Sequence, residues 1–191
     1  MKNGADFEND HLIFERAKKS AAYKTLVQKI KRCKKIFIIG NGGLMDVSAH
    51  GAADLSRLIP GKVFTAFNSP GFMTSNANDY GFENMFVKWL EITVDKIEDP
   101  ATTLLIGLSC SGNSANITQA LTWAFLRSYN TFLISGAKSK NLPKLLPELC
   151  FGCKNFHTTE VLTMKLFYDI VYKTGNHCPD IAGEVKRKWH K

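Results

Sequence analysis

Three short runs constrain this chain most: "KIFIIG" (35–40), "TLLIGLS" (103–109) and "NTFLIS" (130–135). Each is apolar at nearly every position rather than at every second one. A strand of this kind has no face to give to water, so both faces of its sheet must be covered. "KVFTAF" (62–67) reads as another strand, and "ELCFGC" (148–153) as a fifth. Segments with helical spacing lie between them. Over residues 9–33, Leu12, Ala17, Ala21, Leu26, Ile30 and Cys33 share faces, with lysines elsewhere. From Gly43, a stripe of Leu44, Val47, Gly51, Leu55 and Leu58 runs until Pro60. "FENMFVKWLEITV" (82–94), the segment carrying Ile117, Leu121 and Ala124, and "TTEVLTMKLFYDIVYK" (158–173) complete the set. Alternation of buried strands with helices predicts an α/β domain: a doubly wound, five-stranded parallel sheet flanked by helices. We expect one domain over 1–191, with an N-terminal helix at 9–33 and a basic C-terminal tail at 175–191.

The 191 residues are 45% hydrophobic and 22% charged, enough for one full-sized core. No apolar run approaches the length of a membrane span. "MKNGADFEND" is polar and partly acidic, unlike a secretory signal. Five scattered cysteines suit a reduced, cytoplasmic protein. Cys150 and Cys153 form one CxxC with no second pair, which reads as two buried thiols near a strand end. Much of the net charge of +8 lies in "KTLVQKIKRCKK" (24–35) and "VKRKWHK" (185–191). The first reads as a solvated helix face and the second as a frayed tail. Neither is a recognition motif, which argues against a nucleic-acid partner. Attraction of an anionic substrate is an equally good use of the charge.

In a doubly wound sheet, ligands collect at the carboxyl ends of the strands. Three segments there carry unusual chemistry. "GNGGLMD" (40–46) lacks the third glycine of a dinucleotide fingerprint, because Met45 stands there, and it lacks the acidic residue further on. No nucleotide cofactor is expected. Asn41, Gly42 and Gly43 still let backbone N–H groups approach a ligand, although a tight strand–helix turn would use one or two such glycines. "LLIGLSCSGNSANI" (104–117) places Ser109, Cys110, Ser111, Asn113 and Ser114 between a buried strand and a helix. One cap, Ser111 or Asn113, would satisfy the helix. The remaining hydroxyls, with free N–H groups at a helix N-terminus, form a cradle for a phosphate. "NSPGFMTSNANDYGFENMF" (68–86) reads as a long loop, in which Asn78 and Asp79 either contact sugar hydroxyls or make an Asx-turn.

"GNGG", "NDYGFE" and "LSCSGNSANI", in this order, resemble the sugar isomerase (SIS) domain family, and within it the phosphoheptose isomerase branch. The resemblance runs from about residue 9 to 173. It implies a phosphorylated sugar as ligand, an aldose–ketose isomerisation of the sedoheptulose 7-phosphate type, and a homotetramer with active sites built between subunits. By position it assigns Asn41, Gly42, Gly43, Asn78 and Asp79 to the sugar. It assigns Ser109, Cys110, Ser111 and Ser114 to the phosphate, with Cys110 where a threonine is usual. His50 matches a zinc-binding histidine, and Asp54 falls on a glutamate that is both metal ligand and catalytic acid–base. The two are four apart on one helix, so their side chains are neighbours. They can share a metal or simply hydrogen-bond.

The family also has Gln and His eight residues apart on its last helix. Those positions fall on Thr159 and Phe167, or, shifted by one, on Glu160 and Tyr168. Neither register restores the histidine. Leu44 replaces a usual serine, and Ser69 stands where an aspartate is common. Asp54 is one methylene short of glutamate, and misplacement by an ångström can cost about 100-fold in rate. Asp54 is the base expected for an isomerase, with Glu160, Tyr168 or His157 as its partner. The alternative is a non-catalytic module that binds a phosphosugar or a protein and regulates it.

Overall fold

The computed structural model describes residues 7–94 and 98–180. Segment 185–191, read above as a tail, lies outside them. Five parallel strands form one sheet in the order β2-β1-β3-β4-β5. They are β1 (Lys35–Ile39), β2 (Val63–Ala66), β3 (Thr103–Ser109), β4 (Asn130–Ser135) and β5 (Glu148–Cys150). All seven residues of β3 and all six of β4 are buried.

Alternate side chains divide the core into two layers, as the pleat requires. Ile36, Ile38, Leu104, Ile106, Leu108, Phe132 and Ile134 face one cluster. Phe37, Ile39, Leu105 and Leu133 face the other. The first layer is closed by α1 (Phe7–Lys19), α2 (Ala21–Arg32), α3 (Gly43–Leu58) and α7 (Phe156–Lys173). The second is closed by α4 (Pro70–Tyr80), α5 (Met85–Thr93) and α6 (Ala115–Leu126).

Two expectations are corrected. The helix over 9–33 is two helices, broken at Ser20. The Ser20 hydroxyl accepts from the Tyr23 N–H at 3.1 Å and donates to the Ala17 carbonyl at 2.6 Å. It therefore caps α2 while closing α1, and the apolar stripe passes through the break because both helices pack on the same layer. The segment 68–86 is not a long loop. Ser69 caps α4 with Pro70 in its first turn, a start signal that the Asn-rich composition masked. A 3-10 turn at Phe82–Asn84 then joins α4 to α5. Smaller shifts are at ends: β5 stops at Cys150, and α7 begins at Phe156. Cys150 and Cys153 are partly rather than fully buried.

Ser20→Ala should destabilise the domain by about 1 kcal/mol, and Ser20→Gly by a few tenths. Urea unfolding followed by far-ultraviolet circular dichroism measures both. Equal losses would remove the cap from this account.

Candidate functional site

The chain leaves β1 toward β2 on one side and enters β3 on the other. The segments following β1 and β3 therefore diverge and open a crevice at the carboxyl edge. A cavity of about 280 Å³ lies there, lined by Asn41, Gly42 and Gly43 from the first segment and by Ser109, Cys110, Ser111 and Ser114 from the second. Phe156 and Glu160 of α7 close a further side.

Three helices begin at this cavity, and none is capped by a side chain. Gly42 is the N-cap of α3 at φ 56°, in the left-handed region that favours glycine. Ser114 is the N-cap of α6, but its hydroxyl faces that of Ser109 at 3.0 Å. Neither Ser111 nor Asn113, the two residues considered above as caps, holds that position. Asn155 precedes α7 and makes no cap bond either. The α2 and α4 starts, away from the cavity, both have serine caps. The Asn116 side chain accepts from the Ile117 N–H of the first turn of α6; first-turn N–H groups without a side-chain acceptor carry partial positive charge and favour an anion.

An amide pair, with Asn116 buried, ties the two main loops together. Asn41 donates to Asn116 at 2.9 Å, and Asn116 donates back at 2.8 Å. The Asn116 carbonyl also accepts from the Ile117 N–H at 3.0 Å. Asn116 was not singled out from the sequence. Its signal was an amide just before the apolar stripe at Ile117, on a helix whose inward positions are otherwise mostly apolar. Glu160 lies so close to Gly43 that any Cβ there would collide with its carboxylate. Its outer oxygen is 3.5 Å from Nδ1 of the exposed His157. Burial pushes the Cys110 thiol above its ordinary range, and the neighbouring Glu160 carboxylate adds to this.

The remaining expected site residues lie outside this cavity. Asn78 and Asp79 are exposed on the last turn of α4, where Asn78 donates to Asp79 at 2.9 Å. His50 and Asp54 lie further along α3, facing α7. His50 is about 10 Å and Asp54 about 16 Å from the helix start at 1.5 Å per residue. Tyr168 donates to Asp54 at 2.7 Å, and His50 is 3.2 Å from the Tyr168 hydroxyl and 3.3 Å from Asp54. Arg57 holds the other Asp54 oxygen. Burial alone would raise the Asp54 carboxyl. The bonds from Tyr168 and Arg57, with His50 nearby, outweigh it and hold Asp54 below its ordinary value. The same bond, aided by burial, pushes Tyr168 up to about 12.

The donor set at His50 and Asp54 does not fit a four-coordinate zinc within one chain. Both Asp54 oxygens already accept bonds. Among the described residues no group of three or more His, Cys, Asp or Glu is placed to hold a metal. Phe167, one of the two positions on which the resemblance places the family's histidine, is 1% exposed with its ring on Gly51; the other is Tyr168, bonded to Asp54. Thr159 is buried and bonds the Cys153 thiol at 3.1 Å and the Asn155 carbonyl.

No family model matches the chain. It is 36% identical over 107 residues to the phosphoheptose isomerase of Aliarcobacter butzleri, covering 52% of this chain and 53% of that one. Against the first curated relatives, the matched stretches span between about half and two thirds of their length. The structure superposes on phosphoheptose isomerase GmhA from Neisseria gonorrhoeae with a TM-score of 0.73 at 22% identity, covering 90% of this chain and 95% of that one. It also matches the sugar isomerase domain of an RpiR transcription factor from Sphaerobacter thermophilus, with a TM-score of 0.61 at 18% identity, over 88% and 89% of the two chains. The fold is that of a sugar isomerase (SIS) domain. In sequence the chain is similar to phosphoheptose isomerases. Among the described residues, no helix is long and apolar enough to cross a membrane.

The lowered Asp54 pKa stabilises the fold above the ordinary carboxyl value of about 3.9. That stability is lost as pH falls through the lower folded value. Tyr168→Phe removes one of the bonds responsible. Its destabilisation should be largest near neutral pH and shrink below about pH 4. Urea midpoints between pH 3 and 7 measure this; a penalty independent of pH would detach Tyr168 from the Asp54 ionisation.

Proposed function

We propose that the protein is an aldose–ketose isomerase acting on a phosphorylated sugar, of the sedoheptulose 7-phosphate type that supplies surface-polysaccharide precursors. One observation carries the proposal: three helix N-termini without side-chain caps converge on a cavity whose lining contains one carboxylate, Glu160. The phosphate sits among the first turns of α3 and α6, where Ser109, Ser111 and Ser114 add hydroxyls. The open-chain sugar extends past Gly43 toward Glu160. Isomerisation breaks a C–H bond beside the carbonyl, forms an enediol, and returns the proton to the neighbouring carbon. Glu160 carries that proton, and hydroxyl or amide donors of the cavity steady the oxygens. Asp54, the base expected from family position, is bonded to Tyr168 and Arg57 outside the cavity lining.

The protein works in the cytoplasm as a homotetramer, in which the exposed Asn78 and Asp79 meet the cavity of a neighbouring subunit. Light scattering at micromolar concentration should give a mass near four chains; a monomer would remove that part.

A second reading, a non-catalytic phosphosugar-binding module, draws on Phe167 and Tyr168, neither of them a histidine in either register, and on the arginine-bound Asp54. Proton exchange at C2 of heptose and pentose phosphates in deuterated water, followed by NMR, separates the two. Glu160→Gln should lower exchange by about 10²–10⁴ while calorimetry still detects sugar phosphate. The Ser111→Ala/Ser114→Ala variant should lose binding without unfolding. Loss of exchange in Asp54→Asn but not in Glu160→Gln would return the proton to Asp54. Binding without exchange in the wild type would establish the module.

A further inference from the structure

The turn at residues 136–140 joins β4 to the segment before β5, and it rests against the cradle rather than lining it. Gly136 and Ala137 donate their N–H groups to the carbonyls of Ser109 and Cys110 at 3.2 and 2.9 Å. Lys140 donates its N–H to the Asn113 side chain at 2.8 Å. Gly112, at φ 71°, is packed so tightly on this turn that a Cβ would strike the Ala137 carbonyl and come within 3.0 Å of the Ser139 nitrogen. Asn113 in turn donates its N–H to the Ser111 hydroxyl at 3.2 Å and its amide to the Ser111 carbonyl at 2.8 Å. The position of Ser111 therefore depends on the turn.

A carboxylate holds the turn from behind. Glu148 is on β5, and its side chain is only 4% exposed. One oxygen accepts from the Ser139 N–H at 2.9 Å and from the Ser135 hydroxyl at 2.7 Å. The other is paired with Lys138. A buried carboxylate is tolerated only when its oxygens are bonded, and bonds to a charged acceptor are stronger than neutral ones. Those bonds here all go to β4 and to the turn it runs into. We propose that Glu148 is a positioning residue for the phosphate cradle: it fixes the 136–140 turn, which fixes Gly112 and Asn113 and, through them, the Ser111 hydroxyl. The inference rests on reading the cavity as a phosphate site.

The test uses the full chain, with inorganic phosphate and a sugar phosphate as probes. Glu148→Ala should weaken phosphate binding tenfold or more, raise KM by a similar factor, and change kcat by less than threefold. Amide exchange at Gly112 and Asn113 in the unliganded protein should rise at least tenfold. Glu148→Gln keeps an oxygen for Ser135 and Ser139 and should stay within threefold of wild type. Should Glu148→Ala not fold, Asn113→Ala cuts the same link at a partly exposed residue and should reproduce the weakened phosphate binding. Phosphate affinity within twofold of wild type in whichever of these two variants is folded, with wild type binding normally, overturns the role of Glu148 alone. No phosphate binding by wild type overturns the reading of the cavity and this proposal with it.

Discussion

A sheet whose central strands have neither face open to water leaves a ligand only the ends of those strands. That constraint governs the rest of this molecule. β3 and β4 are buried throughout, so helices must cover both layers and each strand must hand the chain to a crossover. The parallel order β2-β1-β3-β4-β5 then follows a right-handed winding that reverses direction once, between β1 and β3. The cavity lies at that reversal, with three helix starts around it. Its charge preference comes from backbone dipoles, which explains how a site without a lysine or arginine in its lining can suit an anion.

The same architecture divides the polar residues of the last helix between two places. Glu160 and Tyr168 lie eight residues apart on α7, a little over two turns. Glu160 reaches the cavity, and Tyr168 reaches Asp54. Between them Phe167 is buried against Gly51, so the polar groups along this contact are split into two clusters by a plug of ring and glycine. A histidine at Phe167 would need a partner that this packing does not supply, since an unpaired buried imidazole is costly.

Much of this was legible in the residues. Continuous apolar runs located β3 and β4 to the residue, because their shortness and the small polar residues that follow them favour a strand over a buried helix. The clustering of hydroxyls after Ser109 marked out residues that line the cavity. Ser20 and Ser69 were read through, because a serine cap inside an apolar stripe or an Asn-rich segment looks like ordinary surface. Placement around the cavity was harder. His50 and Asp54 have the right spacing to meet each other, yet spacing on one helix does not say which neighbouring helix they face. Tyr168 decides that, and its 114-residue separation from Asp54 is beyond any local pattern. Asn116 and Glu148 were hidden for the same reason: each acts through a partner on another strand or loop.

Cys110 lines the cavity between the hydroxyl-bearing residues Ser109 and Ser111. Burial and the adjacent Glu160 keep its thiol protonated, and a protonated thiol is a poor nucleophile. Sulfur is also bulkier than oxygen and a weaker hydrogen-bond donor. That wall of the cavity thus offers less hydrogen bonding than a hydroxyl would. A cysteine in the cavity wall is thus slow toward peroxide and electrophiles, a chemical quietness that burial sustains and the carboxylate only reinforces.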